Sequence, residues 1–211
     1  LSKAALSAPT GPSEASVLGG ALLTMPSIKE LDLSGQPLVL LGEKEEISGL
    51  EDIFSSLKDN GSVSILTLAN CGLQERSEQA LAHFLQNNGV VHTVNVLGNP
   101  FKKGIKNLIA VFDLQENIQS MCGFPKGTKE INWAGAGRNL ADLGLLAMEM
   151  TPHVQGREGR RRALQHLQLL DLSGEQNFGG KNFEKAVKPV RKQAATYRPY
   201  IYQRKTYYKG L

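Results

Sequence analysis

Apolar residues in the stretch 58–101 follow the same pattern twice, at an interval of 28 positions. Residues 63–73 read VSILTLANCGL and residues 91–101 read VHTVNVLGNPF. In each copy apolar and polar residues alternate before a turn, which predicts a short strand with one buried face. A fixed period of this length indicates repeated structural units, because each unit alone has too small an apolar face to fold.

The residues that follow these strands carry apolar side chains at helical spacing, three and four positions apart. Gly61 ends the first such run, and glycine readily adopts the left-handed conformation of a helix C-cap. Asn139 precedes the run at 140–150 and is a typical N-cap residue. On this basis we predict helices over about 43–58, 75–86, 105–112, 140–150 and 181–187.

Two more segments share the strand-and-turn pattern. Residues 28–36 read IKELDLSGQ and residues 167–175 read LQLLDLSGE, with Asp-Leu-Ser-Gly identical in both. A degraded copy is expected near Ile118 and Met121, where a glycine and a proline soon follow and weaken a strand. The pattern therefore indicates about five units.

The spacing L-x-x-L-x-L-x-x-N/C-x-L in these segments resembles that of the leucine-rich repeat family. The 28-residue period is similar to that of its ribonuclease-inhibitor-like class. The resemblance is specific in the four segments quoted and loose at 118–163. It implies parallel strands on a concave face and helices on a convex face, with Cys71 and Asn99 bonding the backbone at the turns.

We therefore expect an α/β protein, a leucine-rich-repeat solenoid of about five irregular strand–helix repeats with an extended N-terminal arm and a C-terminal tail. Residues 1–25, rich in Ala, Ser, Gly and Pro, form the arm. Residues 26–187 form the repeat domain, with an irregular insertion at 123–163 that includes a short strand at 131–133. Residues 188–211 form the tail.

Polar strand residues would line the concave face, where proteins of this family most often hold partners. The resemblance therefore implies five candidate partner contacts: Ser64, Thr67, His92, Thr93 and Asn95. The alternative is that these side chains are only solvated.

Charge is distributed unevenly along the chain, although the net charge is only +4. Residues 185–211 hold eight of the 24 Lys and Arg residues, all five tyrosines and none of the 20 acidic residues. Basic segments bind polyanions by releasing counterions, and tyrosine adds stacking or broad contact with protein. The candidate partner-binding residues of the tail are Lys188, Arg191, Lys192, Tyr197, Arg198, Tyr200, Tyr202, Arg204, Lys205, Tyr207, Tyr208 and Lys209. The alternative is a disordered, solubilising end.

The sequence contains no motif that predicts catalysis. Residues 174–181 lack the Lys-Ser/Thr ending of a phosphate-binding loop, and residues 135–140 lack the third glycine of a dinucleotide-binding turn. The four histidines and two cysteines show no metal-ligand spacing. The apolar run at 17–28 is too short to cross a bilayer, which takes ~20 residues. We expect a non-enzyme without metal or cofactor and without a membrane span.

These observations favour a non-catalytic scaffold or accessory subunit of a large macromolecular assembly, anchored to protein subunits by its basic tail. One alternative is a peripheral RNA-contacting subunit of an organellar ribosome, with the tail and residues 157–162 on RNA phosphates. A second is a regulatory adaptor that binds a partner on the concave face. We expect an intracellular protein. Because the sequence begins with Leu, it is either trimmed or has lost a targeting peptide, and the latter would fit an organelle.

Overall fold

A computed structural model describes residues 3–5, 11–42, 44–101, 105–150, 164 and 166–173. The chain divides into two compact units, Leu1–Gly123 and Phe124–Leu211. The described elements of the first unit are β1 (Lys3–Ala5), α1 (Pro12–Leu22), β2 (Glu30–Asp32), β3 (Leu40–Leu41), β4 (Glu45–Glu46), α2 (Ser48–Asn60), β5 (Ile65–Thr67), α3 (Glu75–Gln86), β6 (Thr93–Asn95) and α4 (Lys106–Leu114). Those of the second unit are β7 (Glu130–Asn132), α5 (Leu140–Met150) and β8 (Leu169–Asp171).

A parallel sheet with the strand order β1-β2-β5-β6 forms the centre of the first unit. Leu31, Leu66 and Val94 stand in register on β2, β5 and β6, and all three are buried. The helices bury apolar side chains at helical spacing, so that these and the strand residues form one core. The opposite face of the sheet carries the alternate residues of each strand.

Carboxylates from neighbouring elements cap the N-termini of two helices in the first unit. Glu45 of β4 accepts a hydrogen bond of 2.9 Å from the backbone nitrogen of Gln74, which precedes α3. Glu78 of α3 accepts hydrogen bonds of 3.0 Å from the backbone nitrogens of Asn107 and Leu108 in α4. The first N–H groups of a helix lack intrahelical acceptors and favour negative charge. Glu45 therefore ties α3 to the β3–β4 hairpin, and Glu78 ties α4 to α3.

Three helix predictions are confirmed in the first unit. α3 has the predicted bounds, and α4 starts one residue late and extends two residues further. α2 begins only at Ser48, because the preceding residues pair as the antiparallel hairpin β3–β4. Gly61 ends α2 with a φ of 64°, the left-handed conformation expected of a C-cap.

In the second unit β7 pairs in parallel with β8, and Ile131 stands opposite Leu170. The side-chain oxygen of Asn139 accepts hydrogen bonds from the backbone nitrogens of Ala141 and Asp142, at 2.8 and 3.0 Å. The predicted cap, the helix at 140–150 and a short strand beginning near Ile131 are thus confirmed. Residues 181–187, where we predicted a last helix, lie outside the described residues.

The predicted leucine-rich-repeat solenoid is wrong. The described residues form a mixed α/β fold with five helices and short strands in three small sheets, one of them antiparallel, and no solenoid is detected among them. The regular alternation of one parallel strand and one helix is interrupted by the antiparallel β3–β4 hairpin. It is interrupted again after β6, where the described residues form only isolated bridges, at Ser120 and Cys122. Strand pairing then resumes between β7 and β8 in a separate sheet. The repeated sequence pattern shows where short strands form, but it does not determine which strands pair with each other.

The expectation of an extended N-terminal arm is also wrong. Residues 12–22 form α1, which packs against α2 and buries Ala15 and Leu22. Gly19 permits this close packing, because a Cβ atom there would lie 3.1 Å from the backbone oxygen of Asp52. Asn60 donates a hydrogen bond of 2.7 Å to the carbonyl oxygen of Leu22 and fixes the end of α1. The small residues of this segment do not leave it extended, because they allow two helices to approach closely.

Candidate functional site: the polar face of the four-stranded sheet

The face of the sheet that turns away from the core carries two rows of side chains. The strand register places Glu30, Ile65 and Thr93 in one row and Asp32, Thr67 and Asn95 in the other. Five of these six side chains are partly exposed, and Thr93 is buried. We call these six residues the polar face. It is an accessible surface with one apolar residue, Ile65, among polar neighbours.

Four of the five sequence-predicted contacts lie on the accessible part of the polar face or beside it, and their role as partner contacts stays a prediction. Thr67 and Asn95 pair directly across β5 and β6. Ser64 and His92 precede these two strands, and the backbone nitrogen of His92 donates a hydrogen bond of 3.0 Å to the carbonyl oxygen of Ser64. Ser64, Thr67, His92 and Asn95 are all partly exposed.

Thr93 differs from the expectation that its side chain is exposed. Only 8 % of the residue is accessible, and its hydroxyl lies 3.0 Å from Nδ1 of His92. Ser120, which bridges to Thr93 at the edge of the sheet, is fully buried. The polar face is therefore most accessible on β2 and β5 and at Asn95. Strand alternation alone assigns a residue to a face but does not say what covers it.

Three residues of the polar face were missed: Glu30, Asp32 and Ile65. The sequence carries a signal for Glu30 and Asp32, because Leu31 and Leu33 are the apolar positions of the pattern at 28–36 and the residues between and before them must then point the other way. Asp32 also accepts hydrogen bonds from the backbone nitrogen and the hydroxyl of Ser34, at 3.0 and 2.7 Å. The two carboxylates make the β2 side of the polar face acidic.

His92 adds no positive charge to this surface at neutral pH. Burial of part of its imidazole lowers the pKa of His92 below its ordinary value of 6.5. The neutral ring shares a hydrogen bond with the Thr93 hydroxyl. Glu30 and Asp32 are the two carboxylates among the polar face and its neighbours Ser64 and His92.

A buried amide fixes the turns that follow β5 and β6. The side-chain oxygen of Asn99 accepts hydrogen bonds from the backbone nitrogens of Cys71 and Leu73, at 2.9 and 3.0 Å. Its side-chain nitrogen donates to the carbonyl oxygens of Leu68 and Val96, at 2.7 and 2.8 Å. The expected bonding of Asn99 to the turn backbone is confirmed. The network holds β5 and β6, and with them the polar face, in register.

Cys71 belongs to the same turns and also bonds the backbone, as expected. Its thiol donates a hydrogen bond of 3.0 Å to the carbonyl oxygen of Leu33. Burial raises the pKa of the Cys71 thiol to about 12. The thiol is therefore protonated at neutral pH and serves as a buried donor.

Gly123 lets the chain pass close to the polar face. Its φ is 75°, and a Cβ atom at this position would lie 2.7 Å from the Cβ atom of Asn95. The backbone nitrogen of Gly123 donates a hydrogen bond of 2.8 Å to the carbonyl oxygen of Val94. This glycine is required both for its conformation and for the space that it leaves to Asn95.

Trp133, the only tryptophan, lies in the core of the second unit. The centroid of the Trp133 ring is 6.2 Å from that of the Phe124 ring. Cζ of Arg138 lies over the Trp133 ring, 4.9 Å from its centroid. Trp133 is only 4 % exposed. Its burial indicates a packing role.

The other predicted contacts lie outside the described residues. They are the tail residues Lys188, Arg191, Lys192, Tyr197, Arg198, Tyr200, Tyr202, Arg204, Lys205, Tyr207, Tyr208 and Lys209. The basic segment 157–162 also lies outside them. As partner contacts, these residues stay a prediction, as do those on the polar face.

In the described part of the chain, no three His, Cys, Asp or Glu residues are grouped so as to hold a metal ion. No helix among the described residues is both long and apolar enough to span a membrane. Compared with protein-family models and with curated proteins, the sequence matches none.

Proposed function

We propose that this protein is a non-catalytic interaction subunit of a larger assembly, in which the polar face binds one protein and the basic, tyrosine-rich tail binds a neighbouring subunit. The observation that carries the proposal is the polar face itself. It presents hydrogen-bonding side chains on strands that are fixed in register by a buried network.

The composition of the polar face supports protein binding. Ile65 lies among carboxylate, hydroxyl and amide side chains. Protein interfaces commonly combine apolar contact with a polar rim and about one hydrogen bond per ~100–200 Å². A partner segment that places an apolar side chain on Ile65 and hydrogen-bonding groups on Thr67 and Asn95 would match this surface.

The tail supports membership of an assembly. Its seven basic residues are accompanied by no acidic residue, and its five tyrosines offer broad contact at low entropic cost. An acidic protein surface would attract such a segment by charge complementarity. RNA is the alternative target, because phosphates attract the same side chains and bases stack on tyrosine.

Affinity purification from cells that express the protein tests the proposal. Wild type is compared with Thr67→Arg on the polar face, with Gln79→Arg as a matched control on the exposed side of α3, and with a chain lacking residues 188–211. We expect the same co-purifying protein to be lost with Thr67→Arg and retained with Gln79→Arg. We expect truncation to release a second set of proteins.

Two outcomes would contradict the proposal. If Thr67→Arg retains every partner, the polar face does not bind any of them. If the chain lacking residues 188–211 retains every partner, the tail does not bind a neighbouring subunit. Loss of the tail-dependent set after ribonuclease treatment of the wild-type sample would favour the RNA-contacting alternative.

A further inference from the structure

Opposite charges are concentrated on two separate parts of this chain. The tail holds seven basic residues, five tyrosines and no acidic residue, whereas residues 1–187 hold 20 acidic and 17 basic residues. The polar face carries two carboxylates on β2, from Glu30 and Asp32, and none of its six residues is a Lys or Arg. Complementary charges on two surfaces favour their association. Because every copy of the protein brings both parts, the tail of one copy has a complementary surface on another copy.

The polar face also offers apolar contact beside these carboxylates. Ile65 stands between Glu30 and Thr93 in one row and is partly exposed. Thr67, two residues further along β5, is partly exposed as well. A tyrosine ring that lies on Ile65 would bury apolar area, while Thr67 and Asn95 offer hydrogen bonds to its hydroxyl. The surface therefore matches a segment that combines basic and aromatic side chains better than one with basic residues alone.

One segment of the tail has this combination at the spacing of the strands. Residues 198–202 read RPYIY, and Pro199 favours an extended chain because it fixes its own φ and disfavours a helical Arg198. In an extended chain alternate residues share a side about 6.6 Å apart, so that Arg198, Tyr200 and Tyr202 span about 13 Å. The three strands β2, β5 and β6 span about 10 Å at ~4.8 Å each. Laid across the strands, the three side chains would thus reach one strand each.

We propose that the polar face binds the tail of a second copy of this chain. Arg198 of the tail lies beside Glu30 and Asp32, and Tyr200 lies on Ile65. This inference rests on the proposed function, because it names the protein that the polar face binds. The contact joins two different surfaces, so each copy can bind one neighbour through its polar face and another through its tail. Such head-to-tail contacts build rings or open chains of copies.

Sedimentation velocity of the purified, ribonuclease-treated full-length protein tests the inference. We expect the mass of wild type to rise with concentration above that of a monomer. Thr67→Arg on the polar face and the double variant Arg198→Glu/Tyr200→Ala in the tail should each weaken the association about tenfold or more, as at the centre of an interface. Gln79→Arg and Arg191→Glu/Tyr208→Ala are the matched controls and should weaken it about threefold at most, because distant charges are screened. Circular dichroism checks that each variant is folded.

Mixing the two defective proteins distinguishes a head-to-tail contact from a symmetric one. The Thr67→Arg protein keeps an intact tail, and the Arg198→Glu/Tyr200→Ala protein keeps an intact polar face. Together they can form one contact and no more. We therefore expect an equimolar mixture to form a heterodimer and nothing larger, although each protein alone is a monomer.

A charge swap within one chain tests the assigned neighbours. Glu30→Arg and Arg198→Glu alone should each weaken the association about fivefold, the size that exposed charge pairs allow. A chain that carries both substitutions places an arginine opposite a glutamate again, with the two charges exchanged. We expect it to associate more tightly than either single variant.

The inference is overturned if wild type stays monomeric up to about 100 µM, where a contact with a micromolar Kd would be largely formed. It is also overturned if the mixture yields no heterodimer, or if the charge swap associates no better than the single variants. Failure of the inference is separate from failure of the proposed function. If wild type is monomeric but Thr67→Arg still loses a different protein in the affinity purification, the polar face binds that protein and not a second copy.

Discussion

The amide of Asn99 bonds the backbone of Cys71, 28 residues earlier in the chain, with Oδ1 of Asn99 2.9 Å from the Cys71 nitrogen. Asn99 is completely buried and makes further hydrogen bonds to Leu73, Leu68 and Val96. One side chain therefore satisfies backbone groups in two successive turns. The two turns follow β5 and β6, whose outward side chains include Thr67 and Asn95.

Asn99→Ala is expected to destabilise the protein by about 2–4 kcal/mol, because several buried backbone groups would lose their partner at once. Asn87→Ala is the matched control, since the exposed amide of Asn87 makes one hydrogen bond, to the carbonyl oxygen of His83. Urea unfolding of both variants measures the difference. Equal midpoints for the two variants would show that the buried network contributes little.

Gly123→Ala and Gly61→Ala separate backbone strain from steric clash. Both glycines have a positive φ, 75° and 64°, but only Gly123 has a close neighbour. We expect Gly61→Ala to cost about 1–2 kcal/mol for the left-handed conformation alone. Gly123→Ala should cost more, because its methyl group would press on Asn95. Thermal unfolding compares the two, and an equal loss would argue against the close approach to Asn95.

Cys71 and Cys122 are expected to resist thiol reagents in the folded protein. Both are buried, and the pKa of Cys71 is raised to about 12, so that little reactive thiolate forms at pH 8. An aromatic disulfide reagent should label two thiols after denaturation and almost none before. Ser55→Cys provides an exposed thiol as a positive control. Rapid labelling of native wild type would contradict the burial of these residues.

Stability should fall in acid partly through His92. Its pKa is lowered in the folded protein, so between that value and the ordinary value of 6.5 the unfolded chain binds more protons than the folded one. The contribution of neutral His92 to the free energy of unfolding is therefore complete above about pH 6.5. It is lost as the pH falls towards the pKa that His92 has in the folded protein. We expect wild type to lose more free energy of unfolding than His92→Gln between pH 7.5 and pH 5. Parallel losses in the two proteins would show that His92 does not contribute.

Local features of the fold could be predicted from the sequence. The bounds of α3, the left-handed Gly61 and the Asn139 cap each depend on a few neighbouring residues. The β3–β4 hairpin, the docking of α1 and the pairing of β7 with β8 depend on contacts between distant residues. These contacts decided the architecture, and the repeated segment at 58–101 did not contain them.

In the candidate site, too, the features that depend on neighbouring residues could be predicted, and those that depend on distant contacts could not. Alternation placed Thr67 and Asn95 on the outward side of their strands, and the same rule applied to β2 would have added Glu30 and Asp32. The burial of Thr93 was not predictable, because it depends on the residues that lie over the end of the sheet. The identity of a partner is not contained in either pattern.

Photocrosslinking tests the role of the polar face most directly. A benzophenone amino acid is placed at Thr67 in one protein and, as a control, at Gln79 in another, and each is irradiated in cells. We predict a covalent adduct with one partner protein from position 67 and none with that partner from position 79. An adduct from position 79 alone, or none from position 67 while the partner still co-purifies, would contradict the claim that the polar face binds it.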